Sequence, residues 1–220
     1  MNVPVVLSCE HASHVLPPAF VGRASERILR SHRGWDAGAL AVAKALSRAL
    51  AAPLFAGRVS RLLVDLNRSA THPKLSAIAK AHERPLLVAR YHRPFRDAVA
   101  RALAHEIRAH GSVLHLSIHS FTPVLRGERR NADLGLLYDP RRASERRLAR
   151  TMQPLLRENL GARVRLNYPY RGTADGHTTA LRRRFSAACY AGIELELNRA
   201  WISQAHTRAL VRTLSLVLAR

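Results

Sequence analysis

Aromatic side chains are scarce in this chain: Phe, Trp and Tyr together make up 5% of its 220 residues. So few rings leave little from which to build the stacking platforms that hold single-stranded nucleic acids. Cysteines number two, Cys9 and Cys189, too few for a disulfide framework, so a reducing cytoplasm is the expected compartment. No apolar run reaches the roughly 18–20 residues of a membrane span. The opening stretch MNVPVVLSCEHAS has no basic region before its apolar part, and Glu10 and His11 interrupt it, so no signal peptide is expected. Acidic residues are few as well. There are 15 of them against 36 Lys and Arg, which gives a formal net charge of +21 and a pI of about 11.6. Within that excess lysine is nearly missing, with only Lys44, Lys74 and Lys80.

Such a charge first suggests nucleic acid. Two features argue against it. The arginine is accompanied by abundant alanine, the composition of a GC-rich genome. The charge is also dispersed, in short clusters such as Arg129-Arg130, Arg141-Arg142, Arg146-Arg147 and Arg182-Arg183-Arg184, with no basic tail. No nucleic-acid partner is therefore expected, and a basic binding module stands only as an alternative. Hydrophobic residues make up 47%, which argues against disorder. A chain of this length buries a core without staples and reads as one domain over residues 1–220.

Strand and helix signals alternate along it. Val3–Cys9 (VPVVLSC) is a continuous apolar run that predicts a buried strand. Asp36–Leu50 carries Leu40, Ala43, Leu46 and Leu50 at helical spacing and is followed by Pro53. Leu54–Leu66 predicts a strand pair or one long strand, LFAGRV and then RLLVDL. Pro94 suits the first turn of a helix whose face is Phe95, Val99, Leu103 and Ile107 and which Gly111 ends. Val113–Ile118 alternates as a strand; Leu134–Tyr138 and Val164–Leu166 are shorter ones. Ser144 predicts a helix cap, with Leu148, Met152 and Leu155 inward, Pro154 to bend the helix and Gly161 to close it. A helix from about Thr179 to Ala188 precedes a strand at Ile193–Leu197, and Ser203 caps a final helix carrying Leu210, Leu214 and Leu218. This alternation predicts an α/β sandwich of three layers on a mixed, largely parallel sheet.

Such sheets bind ligands beyond the carboxyl ends of their strands. Polar residues gather at those exits: Glu10-His11, Asn67-Arg68, His119-Ser120 and Asn198-Arg199, with Glu196 near the end of the last strand. Two histidines and a carboxylate are a common catalytic zinc set. His11 and His119 are the natural pair, and Asp36, Glu10 and His14 compete for the third place. Glu194 and Glu196, in IELEL, fall on one strand face. Two acids in an apolar strand are costly to bury unless paired or at work, so either is a candidate general base. Arg68 offers a planar fork for a substrate carboxylate, with Asn67 beside it as a donor. Arg61 is placed to stabilise an oxyanion. The run from Asn167 to Thr179 reads as an ordered loop rich in donors, with Arg171 and His177 as substrate-binding candidates. The remaining histidines, among them His92 and His115, read as surface or packing residues.

Seven stretches in order, SCEHASHVLP, WDAGAL, SRLLVDLNR, YHRPFR, LSIHSFTP, NYPYRGTADGHTT and IELELNRAW, resemble the N-formylglutamate amidohydrolase family. They span residues 8 to 201. The family is similar to the zinc carboxypeptidase-like superfamily, with a phosphorylase/hydrolase-like fold. The resemblance implies zinc-dependent (or other divalent-metal) hydrolysis of a small anionic N-acyl amino acid, N-formyl-L-glutamate giving formate and glutamate. It implies His11, Asp36 and His119 as metal ligands, Glu196 as the base, and Asn67 and Arg68 as the grip on the substrate carboxylate. The chain departs from the family in carrying Cys9-Glu10 before the histidine, where well-studied members resemble a Pro-His-Ala-Gly stretch.

Overall fold

The structure, a computed structural model, describes residues 3–218. The apolar runs become strands: β1 (Val5–Cys9), β2 (Leu54–Ala56), β3 (Val113–Phe121), β6 (Leu134–Leu137), β7 (Val164–Leu166) and β8 (Tyr190–Asn198), with β4 (Val124–Leu125) and β5 (Glu128–Arg129) forming a separate hairpin. The main sheet has the order β2-β1-β3-β8-β6-β7. The strands β2, β1, β3 and β8 are mutually parallel, β6 runs antiparallel to β8, and β7 follows β6. This is the mixed, mostly parallel sheet that the strand–helix alternation predicts.

The helices are α1 (Glu26–Leu29), α2 (Ala39–Ala49), α3 (Arg84–Leu87), α4 (Arg93–His110), α5 (Ala143–Leu160), α6 (His177–Arg184) and α7 (Gln204–Leu218). Three of them, α2, α5 and α7, cover one sheet face. Val42, Leu46, Met152, Leu156, Leu210 and Leu214 meet Leu7, Leu116, Ile118 and Leu195 there in the largest core. On the other face α4 and α6 pack a smaller cluster, with Val99, Leu103 and Leu181 against Val6, Val113 and Tyr190. Pro94 occupies the first turn of α4 and Gly111, at φ +80°, ends it, as the sequence predicts.

Four expectations need correction. RLLVDL does not join the sheet. β2 is a short edge strand, and beyond it Leu62, Leu63, Val64 and Leu66 bury into a core of their own with Leu16, Phe20, Leu29, Leu75 and Leu87. Backbone bonds from Asp65 to Leu75 and from Ala77 to Leu62 hold this segment as a folded loop above the strand ends. Ser144 does not cap α5, because the helix starts one residue earlier and the Ser144 hydroxyl donates to the Ala187 carbonyl. Within α5 the inward residues are Ala149, Met152 and Leu156, so Leu156 takes the place expected for Leu155. Finally, α6 begins at His177 rather than near Thr179, because the side-chain carbonyl of Asn67 accepts the His177 backbone N–H at 2.7 Å.

A candidate metal centre in a polar cavity

Strand alternation divides the sheet chemically. The register pairs Ser8 with Ser117, Ser117 with Glu194, and His119 with Glu196, so these side chains share one face with His115. The intervening Leu116, Ile118, Leu195 and Leu197 belong to the opposite, apolar face. The polar stripe ends at the carboxyl edge of the sheet, where the loops carrying His11, Asp36 and Asp65 close over it.

There His11, Asp36 and His119 converge, all buried, with one ligand atom from each within 4.8 Å of the others. Asp36 Oδ2 lies 3.2 Å from His11 Nδ1 and 2.9 Å from His119 Nδ1. The Asp36 backbone N–H donates to the His11 carbonyl at 3.0 Å, which ties the start of the α2 region to the exit of β1. Burial opposes the charge of Asp36, yet His11, His119 and Arg61 hold its carboxyl well below the usual range. Burial likewise opposes the charge of both histidines. Asp65 and Asp36 outweigh it for His11, and Asp36 and Glu10 for His119, so both are raised.

The donor set suits a divalent metal. Two imidazole nitrogens and a carboxylate oxygen match zinc and similar ions. Ligating histidines also require their second ring nitrogen to be held, usually by a carboxylate or carbonyl. His11 Nε2 is held by Asp65 Oδ1 at 2.7 Å. His119 Nε2 faces Ser117 Oγ at 2.9 Å and Glu10 Oε2 at 3.3 Å. Both Nδ1 atoms are thereby turned towards Asp36. His14, the alternative ligand, instead packs against the Trp35 ring at 4.9 Å. Glu10, the other alternative, points to the far side of His119 and takes no part in the three-residue cluster.

A cavity of roughly 170 Å³ opens beside the cluster. Glu194 and Glu196 form part of its wall. Glu194 accepts a short hydrogen bond from the Thr178 hydroxyl. Glu196 is different: its Oε2 is buried with no hydrogen-bond partner. Burial, reinforced by Asp36 and Glu194 and opposed by His119 and His11, pushes the Glu196 carboxyl up to about 7. Opposite Glu196 in the register is Gly135, where a Cβ would stand 1.9 Å from the Tyr168 carbonyl oxygen. Only glycine allows the Tyr168 backbone to approach β6 so closely beside Glu196.

Arg61, Asn67, Arg68 and Arg171 also line the cavity. Arg61 binds Asp65 Oδ2 at 2.9 Å and reaches Asp36 Oδ1 at 3.4 Å. Arg68 is half-buried, with one long contact to the Asp175 carbonyl at 3.5 Å. Arg171 lies exposed at the rim. His177 is placed elsewhere. The Asn67 bond draws the start of α6 over the loop, and the imidazole turns inwards to Glu10 Oε1 at 2.8 Å, outside the cavity wall. Sequence reasoning missed the roles of Asp65, Ser117 and His115. Asp65 stands two residues before Asn67-Arg68 and reads on its own as their ion-pair partner. His115 and Ser117 were findable from the alternation H-x-S-x-H that ends in His119.

The N-formylglutamate amidohydrolase family model matches residues 3–203. A crystal structure of a gene product from Agrobacterium tumefaciens is 31% identical, with a TM-score of 0.84 over 99% of this chain and 90% of that one. The N-formylglutamate amidohydrolase of Ralstonia eutropha is 21% identical and shares the fold, with a TM-score of 0.76 over 99% of this chain and 92% of that one. No protein of curated function matches the sequence. On the family match, the chain belongs to the N-formylglutamate amidohydrolase family.

Proposed function

We propose that the chain is a divalent-metal-dependent amidohydrolase that cleaves the amide of an N-acyl amino acid, with N-formyl-L-glutamate as the leading substrate. The observation that carries this reading is Glu196: a buried carboxylate oxygen without a partner, in one cavity with a His–Asp–His cluster. His11, Asp36 and His119 are the ligands. A zinc ion bound by them supplies a Lewis acid for the amide carbonyl and lowers the pKa of a water molecule. Glu196 Oε2 removes a proton from the attacking water and delivers it to the leaving nitrogen. Burial raises this carboxyl above the ordinary glutamate range, which suits it to both taking and returning the proton. Arg68 and the amide nitrogen of Asn67 hold the substrate carboxylate, and Arg171 at the rim adds positive charge for an anionic substrate. Arg61 stabilises the oxyanion while bridging Asp36 and Asp65. The substrate is small and anionic, in keeping with the cavity size and its arginines, and a nucleic acid is not required. No helix among the described residues is long and apolar enough to cross a membrane. We place the reaction in the cytoplasm, where Cys9 and Cys189 stay reduced.

Elemental analysis of protein purified without added metal is expected to give about one zinc or other divalent ion per chain, matching the one such cluster among the described residues. A panel of N-formyl, N-acetyl and N-succinyl amino acids should show N-formyl-L-glutamate as the best substrate. Activity confined to another acyl group would keep the hydrolase and replace the substrate. Absence of metal, with no turnover of any panel member after zinc addition, would overturn the reading. Arg68→Ala should raise KM about 10- to 150-fold with a smaller change in kcat, the range expected for removing a charged hydrogen bond worth roughly 1.5–3 kcal/mol. An unchanged KM would take Arg68 out of the carboxylate site.

A further inference from the structure

We propose that Glu10 is the positioning residue of the metal centre, a buried carboxylate that fixes which nitrogen of His119 is presented to the ion; this rests on the metal-dependent reading above. Glu10 is buried between β1 and β3, accepts from three side chains and lies within ion-pair reach of a fourth. Oε1 takes the hydroxyl of Ser8 at 2.7 Å and His177 Nδ1 at 2.8 Å. Oε2 takes the hydroxyl of Ser117 at 2.7 Å and lies 3.3 Å from His119 Nε2.

Proton counting around it leaves one solution. A serine hydroxyl has a single proton. Ser117 gives its proton to Glu10, so at its 2.9 Å contact with His119 Nε2 it can only accept. His119 Nε2 therefore carries hydrogen, and in the neutral ring the lone pair is left on Nδ1, the atom facing Asp36. The same count runs down the second branch. Ser8 gives its proton to Glu10 and accepts from His115 Nε2 at 2.8 Å, while His115 Nδ1 accepts from the Tyr190 hydroxyl at 2.9 Å. Every donor in the network points towards Glu10. The carboxylate is the common acceptor that orients both branches, and it acts on the metal centre through His119 without being a ligand.

Glu10→Gln tests this with little change of shape. An amide cannot accept on both sides. With its NH2 at Ser117, the hydroxyl must turn and donate to His119 Nε2, and the lone pair leaves Nδ1. The readout is Co2+ binding to metal-free protein, followed by the visible absorption bands and by competition with a chelator. Glu10→Gln should bind Co2+ about 10- to 100-fold more weakly, the usual cost of losing such a partner, with altered bands. Ser117→Ala, which cuts the shorter link and leaves the carboxylate, should weaken binding in the same direction and carries the test if Glu10→Gln does not fold. Tyr190→Phe, at the far end of the second branch, should keep wild-type affinity and bands. Wild-type affinity and bands in both Glu10→Gln and Ser117→Ala would overturn this inference alone, as would an equal loss in Tyr190→Phe. Failure of the wild type to bind Co2+ would overturn the metal-dependent reading together with it.

Discussion

Glu196→Gln should lower kcat about 100- to 10,000-fold, the range for removing a general acid–base group, while the protein keeps its bound metal. The substitution preserves volume at a buried site and leaves the His11–Asp36–His119 cluster untouched. It removes the one carboxylate oxygen in the cavity wall that is buried without a partner among the described residues. Glu194→Gln provides the contrast. Glu194 is already engaged by the Thr178 hydroxyl and is expected to lose much less. Its charge is one of the influences that raise Glu196, after burial. The base works deprotonated, so activity rises with pH through the Glu196 titration. Removing the neighbouring negative charge lowers that pKa, and the acidic limb of kcat/KM should move to lower pH in Glu194→Gln. A bound cation lowers it further, so the limb in both proteins should lie below the value of about 7 that holds without metal. Steady-state kinetics across pH on both variants, with metal content measured on each, checks this. A larger kcat loss in Glu194→Gln than in Glu196→Gln would exchange their roles.

The strands and long helices are legible in the sequence because burial and periodicity act locally. VVLSC, VLHLSIHSF and IELELN each need two buried faces, and Gly111 and Gly161 stop helices that their apolar spacing begins. The polar stripe across β1, β3 and β8 was legible only in part. Alternation puts Glu194 and Glu196 together, but aligning Ser8, Ser117 and His119 with them requires the strand order and register. RLLVDL misleads for a related reason. Its apolar residues are core residues, as their composition says, but of a second cluster that no strand reaches. That detour carries Asp65 back over the exit of β1, where it takes His11 Nε2 rather than pairing with Arg68. His177 shows the same limit: its backbone serves the site through Asn67, while its side chain serves Glu10.

Arg182→Met should destabilise the metal-free protein by about 3–5 kcal/mol, the usual cost of stranding one partner of a buried ion pair. The guanidinium and the Glu145 carboxylate are both buried, with Arg182 Nε 3.0 Å from Oε1 and 3.1 Å from Oε2. Glu145 also accepts the backbone N–H groups of Asp139 at 2.8 Å and Gly192 at 3.0 Å, so it cannot move to follow water. Arg142, whose Nε lies 3.3 Å from Oε1, stays as a second cation and sets the loss towards the lower end. Arg182 also holds two carbonyls, Gly172 at 2.6 Å and Gly192 at 2.9 Å. One is on β8, two residues before Glu194. The other is in the loop that carries Arg171 and leads to Asp175 at the cavity. Gly172 is itself fixed, since a Cβ there would stand 2.3 Å from the Tyr138 backbone nitrogen. Losing Arg182 therefore frees the loop as well as the charge, and Arg182→Met should raise KM in the conditions where it remains folded. The double variant Glu145→Gln/Arg182→Met removes the stranded charge and should lose less than the sum of the two single changes, by roughly 0.5–3 kcal/mol. Urea unfolding of the three variants measures both quantities. A loss below 1 kcal/mol for Arg182→Met, or strict additivity in the double variant, would mean that the pair does not tie the cavity loop to the sheet.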